Sequence, residues 1–327
     1  MKKLIFIILF GFLFSETNNK VTIAFGSCNH QDKKQILWND IINENPDLWI
    51  WLGDNIYADT NDMELKKKYY LLQKSNYDYK RLLEITEVTG TWDDHDYGKE
   101  DVGKNYLKKK ESQQLLLDFL DVKDNDPRRE REGVYHTYVL DKNGISIKIF
   151  VLDTRYFRDD IKKNIFFRYK ENQHGSILGD DQWEWFENEL KHSKSDVNII
   201  VSSIQLIPIQ HKSEKWANFP NERERIFNIL KKYNIKNPII ISGDRHIGEI
   251  SKIIYNEMNL YEVTSSSLTN PWKIKRNDAN KFRVNSIVYE LNYGTIDIID
   301  INDELVIELN VKSNNGIKQS SIQINNP

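Results

Sequence analysis

The stretch LWIWLGDNIY at residues 48–57 joins an unbroken apolar run to a polar cluster. A short apolar run that ends at a glycine is typical of a β-strand buried on both faces. Gly53 and Asp54 stand where this strand would end, and Tyr57 follows shortly after them. In open α/β sheets, ligands bind beyond the carboxyl ends of the strands. The stretch therefore predicts an α/β fold and makes Asp54 a candidate for a functional site.

Other segments repeat this pattern of apolar strands separated by helices. The predicted strands cover residues 21–25, 145–152, 198–203 and 238–242, with a shorter run around Val88. The predicted helices cover residues 34–43, 64–74, 106–120, 180–192 and 221–233. Strands that alternate with helices in this way favour an α/β architecture.

The C-terminal part of the chain has a different character. Three segments either alternate between apolar and polar residues or are continuously apolar, with no helices between them: residues 286–291, 294–301 and 304–311. This pattern predicts antiparallel strands. These strands would form either a second sheet packed on the first or a separate small β-domain. No flexible linker precedes them, so we expect a single domain over residues 19–327.

Residues with metal-binding or catalytic chemistry follow almost every predicted strand. They are Cys28, Asp54, Tyr57, the run Asp93-Asp94-His95-Asp96, Asp153, Arg155, Gln205, Asp244 and His246. Three carboxylates around one imidazole would repel one another without a cation. Asp244 and His246 are two residues apart, so an extended strand would point both to the same side. This joint placement predicts a metal site at the strand ends.

Each of these residues also has a structural interpretation when it is considered alone. Asp54 after a glycine could shape a turn. Cys28 could be a small buried apolar residue, and Tyr57 could belong to the core. Arg155 could clamp a phosphate or form a salt bridge with Asp153 or Asp159. We assign no chemistry to His136, His174, His192 and His211, which lie outside the strand-end pattern, and no ligand role to Glu100 and Asp101.

Composition and the N-terminus limit the class of protein. Lys2 and Lys3 precede an apolar run at residues 4–14, which predicts a signal peptide over residues 1–18. We therefore expect an exported protein with no stable membrane span after signal removal; the alternative is a retained N-terminal anchor. The net charge of −3 gives no reason to expect nucleic acid or anionic lipid as the main partner. Cys28 is the single cysteine, which excludes an internal disulfide.

In their order along residues 20–300, these motifs resemble the alkaline phosphatase D (PhoD-like) family of metallophosphoesterases. The matching motifs are Gly26-Ser27-Cys28, Gly53-Asp54 with Tyr57, Trp92 to Gly98, Leu152 to Arg155, Leu178-Gly179 with Gln182-Trp183, Ser202-Ser203 with Gln205, and Gly243-Asp244 with His246. So many ordered matches make the resemblance specific.

The resemblance implies a fold class, a cofactor and a set of residue roles. It implies a four-layer αββα sandwich of two mixed β-sheets flanked by helices. It also implies two metal ions, Fe(III) with Ca(II) or another divalent cation. Asp54 would bridge the two metals. The iron site would be completed by Cys28, Tyr57 and His246, and the second site by Asp94 and Asp244. His95 would lie beside the scissile phosphate.

The implied function is metal-dependent hydrolysis of a phosphate ester, in which the two metals activate a hydroxide that attacks the phosphorus. Whether the enzyme would prefer a phosphodiester or a phosphomonoester stays open at this point. The alternative to an enzyme is an exported protein that binds metal or phosphate without catalysis.

Overall fold

The computed structural model describes residues 19–166, 169–273, 275, 278–302 and 304–325. The predicted signal peptide at residues 1–18 lies outside the described residues. The strands are β1 (Asn19–Gly26), β2 (Leu48–Leu52), β3 (Glu87–Thr91), β4 (His136–Lys142), β5 (Ile145–Val151), β6 (Val197–Ser202), β7 (Pro238–Ser242), β8 (Gly248–Tyr255), β9 (Met258–Ser265), β10 (Tyr293–Ile301), β11 (Glu304–Ser313) and β12 (Ile317–Asn325). The α-helices are α1 (Trp38–Asn43), α2 (Met63–Ser75), α3 (Tyr77–Leu83), α4 (Asp94–Tyr97), α5 (Lys109–Phe119), α6 (Gly179–Lys191) and α7 (Pro220–Lys232).

The strands form two six-stranded mixed sheets. The first sheet has the order β12-β11-β10-β1-β2-β3, and the second has the order β4-β5-β6-β7-β9-β8. In the first sheet, β1, β2 and β3 run parallel to one another, while β10 pairs antiparallel with β1. In the second sheet, β5, β6, β7 and β9 run parallel. Each sheet thus contributes a set of parallel strands whose carboxyl ends can supply residues to one site.

Three hydrophobic clusters account for a four-layer arrangement. Apolar side chains from the facing sides of both sheets form the central cluster, which includes Ile50, Ile199 and Ile241. On the outer face of the first sheet, Trp49 and Trp51 pack among residues of α1, α2, α3 and α5. On the outer face of the second sheet, apolar residues of α6 and α7 pack on β5, β6 and β7. The predicted αββα sandwich of two mixed sheets flanked by helices is therefore confirmed.

Several predicted elements have different limits in the structure. The helix expected at 34–43 begins only at Trp38, and the one expected at 106–120 covers Lys109–Phe119. The strand expected at 286–291 is wrong, because this segment contributes only an isolated bridge between Val288 and Gly248. The strands at 294–301 and 304–311 exist as β10 and β11, but they extend the first sheet through β1 and do not form the second one.

None of the helices in the described part of the chain is both long enough and apolar enough to cross a lipid bilayer.

The contact between β10 and β1 depends on the absence of a side chain at Gly294. Gly294 is paired with Phe25 in the antiparallel register. A Cβ atom at Gly294 would lie 2.1 Å from Cε2 of the Phe25 ring. The ring of Phe25 therefore occupies the space above Gly294 and fills part of the core between the sheets.

We predict that Gly294→Ala lowers the free energy of unfolding by about 1–3 kcal/mol, because the new methyl group would collide with the Phe25 ring. Chemical denaturation should show this loss. In a Phe25→Leu background, where the ring is absent, the same substitution should cost less. An equal cost in both backgrounds would mean that the ring is not the obstacle.

Candidate metal centre

The site begins at the turn that follows β2. Gly53 has a φ of +99° and Asp54 has a φ of 49°, so the chain reverses sharply where the strand ends. A Cβ atom at Gly53 would lie 2.5 Å from Cβ of Asp93, so only glycine allows this close approach to the segment after β3. The Asp54 backbone N–H donates to Oδ1 of Asp96 over 3.3 Å. This contact fixes the turn against the second motif.

Four of the predicted metal ligands have a left-handed backbone. Their φ values are 55° at Cys28, 49° at Asp54, 67° at Asp244 and 55° at His246. Non-glycine residues adopt this conformation rarely and at a cost, and such residues concentrate at functional sites. In each case the left-handed turn directs a polar side chain into the space beyond a strand end. The surrounding structure therefore stabilises an arrangement that the local sequence does not favour.

The first group of potential ligand atoms comes from Cys28, Asp54 and His246. One atom from each lies within 4.8 Å of the others. The Sγ atom of Cys28 is 3.5 Å from Oδ2 of Asp54. The Oη atom of Tyr57 is 3.4 Å from Nε2 of His246. This group therefore joins a thiol, a carboxylate, a phenol and an imidazole.

Neighbouring groups fix the orientation of His246. Its Nδ1 atom contacts the carbonyl oxygen of Asn270, which requires Nδ1 to carry the proton and donate. Its backbone N–H donates to Oγ of Ser266 over 2.8 Å. The Nε2 atom is then unprotonated and faces the group, as in histidines that bind metals.

A second group surrounds Asp94, the first residue of the short helix α4. Ligand atoms of Asp54, Asp94 and His95 lie within 4.8 Å of one another, and so do those of Asp93, Asp94 and Asp244. The backbone N–H of Asp101 donates to Oδ2 of Asp94 over 2.7 Å. Asp54 thus belongs to both the first and the second group. The structure brings the six predicted metal ligands together, with Asp54 between the two sets.

The shifted pKa values of these side chains indicate whether the site suits cations. Burial, followed by repulsion from neighbouring carboxylates, raises the pKa of Asp244 well above its usual range. Burial also raises the pKa of the Asp54 carboxyl, and burial together with the charge of Asp54 raises the pKa of the Cys28 thiol. The phenol of Tyr57 has a raised pKa for the same reasons. Groups that are this costly to ionise alone become good ligands when a cation compensates their charge, so the donor set fits metal ions.

His95 lies at the edge of the centre and is held by Asp59. Its Nδ1 atom is 2.8 Å and 2.9 Å from the two carboxylate oxygens of Asp59. Its ring centroid is 4.3 Å from that of Tyr57. Burial alone would lower the pKa of His95, but the carboxylates of Asp54 and Asp59 outweigh it and raise the pKa to about 11. The imidazole is therefore oriented, with Nε2 directed away from Asp59. Nothing in the sequence had singled out Asp59 as its partner.

Arg155 does not occupy the position of a phosphate clamp. Its side chain is fully buried, its Nε donates to Oδ1 of Asp93 over 2.6 Å, and its Nη1 donates to Oε2 of Glu214 over 2.7 Å. The salt bridge predicted with Asp153 or Asp159 is also wrong. The carboxylate of Asp153 accepts the backbone N–H of Arg155, and Asp159 pairs with Lys104. Arg155 instead links the segment before α4 to Glu214, a residue that no sequence motif indicated.

A cavity of about 590 Å³ opens over the centre. Asp54, Asp94, Asp244, His95 and His246 line it, together with residues outside the predicted set of metal ligands and catalytic residues. These further residues are Glu100, Asp101, Lys163, Tyr169, Lys212, Ser213, Glu214, Arg245, Asn270, Pro271, Trp272 and Lys273. Cys28 is fully buried and Tyr57 is half-buried, and neither lines this cavity. The cavity therefore exposes carboxylates and imidazoles to a ligand, whereas the thiol and the phenol lie outside its lining.

Comparison with solved structures gives the same fold. A structure described as PhoD superposes with a TM-score of 0.74 at 17% identity, over 94% of this chain and 68% of that chain. GAP50, described as the anchor in the inner membrane complex of Plasmodium, superposes with a TM-score of 0.59 at 12% identity, over 95% of this chain and 90% of that one. A dimetal phosphatase from Danio rerio superposes with a TM-score of 0.52 at 10% identity, over 94% of this chain and 99% of that one.

Sequence comparison defines the family. Alkaline phosphatase D from Bacillus subtilis (strain 168) is 23% identical to this chain over an alignment that covers 76% of the chain and 49% of that relative. The chain thus spans about half the length of this curated relative. The profile of the PhoD-like phosphatases matches residues 23–293, which include both groups of ligand atoms. The chain therefore belongs to the PhoD-like phosphatase family.

Proposed function

We propose that this protein is a metal-dependent phosphoric ester hydrolase that uses two metal ions. The observation that carries the proposal is the shared position of Asp54. Its carboxylate lies within 4.8 Å of ligand atoms of Cys28 and His246 on one side, and of Asp94 and His95 on the other. A carboxylate has two oxygens and can bridge two cations, whereas a single-metal site has no need for two groups joined in this way.

The two groups differ in the kind of cation that they suit. Cys28, Tyr57 and His246 supply sulfur, phenol oxygen and nitrogen, which favour a borderline or trivalent metal such as Fe(III). Asp94 and Asp244 supply only oxygen, which suits Ca(II) or a similar divalent cation. Once bound, the two cations would lower the pKa of a coordinated water and stabilise the negative charge of the phosphoryl transition state.

The other residues of the site position the substrate and move a proton. His95 lines the cavity beside Asp54 and Asp94, so its Nε2 can donate a proton to the leaving oxygen. Asp59 holds the imidazole by Nδ1 and keeps Nε2 directed toward the cavity. Arg155 acts indirectly, because it fixes Asp93 next to Asp94. This division separates one catalytic histidine from the residues that orient it.

The cavity has room for the organic part of a phosphate ester. A volume of about 590 Å³ lies within the range of pockets that hold whole organic ligands and exceeds the needs of a phosphate group alone. This volume accommodates both a monoester and a diester. Relative rates on an aryl phosphate diester and the matching monoester decide between the two substrate classes.

A protein that binds metal or phosphate without catalysis is the second candidate. The fold alone permits it, since GAP50 shares the fold and is described as an anchor. The pair of His95 and Asp59 favours the enzyme, because a site that only binds has no need for an oriented proton donor at its edge. We also propose that the chain is exported after loss of residues 1–18, which N-terminal sequencing of the mature protein tests.

We predict that Asp54→Asn removes both metals and lowers the rate of ester hydrolysis by about a hundredfold or more, since an amide cannot bridge two cations. Elemental analysis and a steady-state assay measure the two losses. The control is Asp160→Asn, which changes an exposed carboxylate bonded to Asn105. A variant at Asp54 that keeps two metals and activity within about tenfold of the parent would rule out the bridge.

We predict that His95→Gln keeps both metals but slows hydrolysis by about 10²–10⁴-fold, because the leaving oxygen then lacks its proton donor. The loss should be smaller for an aryl leaving group, which departs readily without protonation, than for an alkyl one. His192→Gln serves as the control, because His192 is exposed and bonds only its own helix. Loss of one metal from the His95 variant would instead make His95 a ligand.

We predict that the iron-loaded protein is coloured and that Tyr57→Phe bleaches it, because a tyrosinate bound to Fe(III) absorbs visible light by charge transfer. Visible spectra at equal iron content measure the change. Tyr79→Phe is the matched control, since Tyr79 is buried against Trp51, away from the centre. Retained colour in the Tyr57 variant would remove Tyr57 from the ligand set.

A further inference from the structure

Three exposed apolar side chains lie on two neighbouring loops beside the active-site cavity. Leu107 is 92% exposed, Ile165 is 86% exposed and Phe166 is 73% exposed. Leu107 and Ile165 are the two most exposed large apolar side chains among the residues that the structure describes. Single exposed apolar residues are common, but several of them on two loops that contact each other mark a candidate contact surface. We call these three residues the apolar rim.

Backbone and side-chain contacts hold the two loops together. Lys163 pairs with Tyr169 in an antiparallel bridge, and Ile165 and Phe166 form a turn shortly after Lys163. The backbone N–H of Lys104 donates to the carbonyl oxygen of Arg158 over 2.8 Å, where the second loop begins. Close to it, Nδ2 of Asn105 donates to Oδ2 of Asp160 over 2.7 Å. The apolar rim is therefore built on a joined pair of loops.

The same loops form one wall of the cavity. Asp101, Lys163 and Tyr169 line it, and both Lys163 and Tyr169 contact the carboxylate of Asp101. A surface that bound the apolar rim would therefore lie close to the active-site cavity.

The charge around the apolar rim is opposite to that of the whole chain. Residues 99–111 and 159–170 contain nine lysines and arginines against five aspartates and glutamates, in a chain with a net charge of −3. Lys162, next to the turn, makes no ion pair with any described residue. Positive charge near exposed apolar side chains complements the anionic headgroups and the acyl region of a phospholipid surface.

We propose that the apolar rim docks the protein on an anionic phospholipid surface, with the active-site entrance facing that surface. Ile165, Phe166 and Leu107 enter the boundary between headgroups and acyl chains, and the surrounding lysines contact the headgroups. A soluble polyanion would use the lysines but would leave the three apolar side chains in water, so the lipid surface fits both features. The docking does not depend on the proposed hydrolysis.

Vesicle co-sedimentation of the chain from residue 19 onward tests the proposal. This part contains both complete sheets, and it omits the apolar run at 4–14, which would bind lipid by itself. We expect binding to phosphatidylglycerol vesicles, weaker binding to phosphatidylcholine vesicles, and loss of binding as salt is raised. Absence of binding to the anionic vesicles at low salt would overturn the proposal.

Variants separate the apolar contribution from the charge. The double variant Ile165→Ser/Phe166→Ser should weaken vesicle binding by about tenfold or more, because two apolar side chains no longer enter the lipid. Ile254→Ser is the matched control, since Ile254 is 66% exposed on β8, outside both loops. All three proteins should hydrolyse a soluble aryl ester at the same rate, so a failure of docking is distinct from a failure of the proposed function. Unchanged vesicle binding by the double variant would assign the loops to a polyanion instead. The same conclusion would follow if soluble polyphosphate competed equally for the parent protein and for the double variant.

Discussion

Repulsion between buried acidic groups is the constraint on which the whole site depends. Asp54, Asp93, Asp94 and Asp96 lie close together at the ends of the strands, with little or no contact with solvent. Asp244, which is half-buried, lies beside Asp93 and Asp94. Like charges in a medium of low polarity repel strongly, and each also loses its hydration. The fold has to offset both costs. It does so with fixed positive groups and backbone donors, and it leaves the remaining anionic groups gathered around a cavity.

The fixed part of this compensation is visible in the contacts. The guanidinium of Arg155 lies against Asp93, with Asp94 3.8 Å away. Asp96 accepts backbone N–H bonds from Asp54, Asn55 and Asp93. Burial still raises the pKa of Asp96 to about 7, because the backbone donors only partly offset the lost hydration. Lys66, fully buried, donates to the carbonyl oxygens of Asp96 and Tyr97 and to Oγ of Ser112, so α2, α4 and α5 are joined at one point.

The strands and the residues at their ends were predictable from the sequence for a simple reason. A strand buried on both faces has to be continuously apolar, so its end is marked by the first polar residue, as at Leu52-Gly53-Asp54. A strand with one solvent-facing side contains polar residues along its length, so its sequence is harder to recognise as a strand. The sequence therefore missed β4, β8 and β12, whose burial alternates or fades along the strand, and α3, which is only seven residues long. It also missed β9, which is mostly buried but carries the polar residues Glu262 and Thr264 among its apolar ones.

Contacts between distant segments were not predictable in the same way. Arg155 was expected to pair with nearby acids, but it pairs with Asp93 and Glu214, which lie far from it along the chain. The support of His95 by Asp59 likewise depends on how the turn after β2 meets α4. Residues 286–291 are apolar enough for a strand, yet the edge of the second sheet meets them only at Val288. Local sequence specifies which residues can take part, and tertiary packing decides which ones meet.

The left-handed residues connect the electrostatic constraint to the stability of the fold. Cys28, Asp54, Asp244 and His246 each carry backbone strain, and burial is also the largest cause of a shifted pKa in all four side chains. Contacts within the site offset neither the backbone strain nor the burial of the ionisable groups. The stabilisation therefore has to come from the hydrophobic cores on both sides of the sheets. Because the rest of the fold offsets the backbone strain and the burial of these groups, the ligand side chains are held in place before any cation binds. Cations that bind there then offset repulsion that is already present, and they need to reorganise little of the chain. In the proposed metal centre, the costly geometry at the strand ends is thus what favours the binding of positive charge.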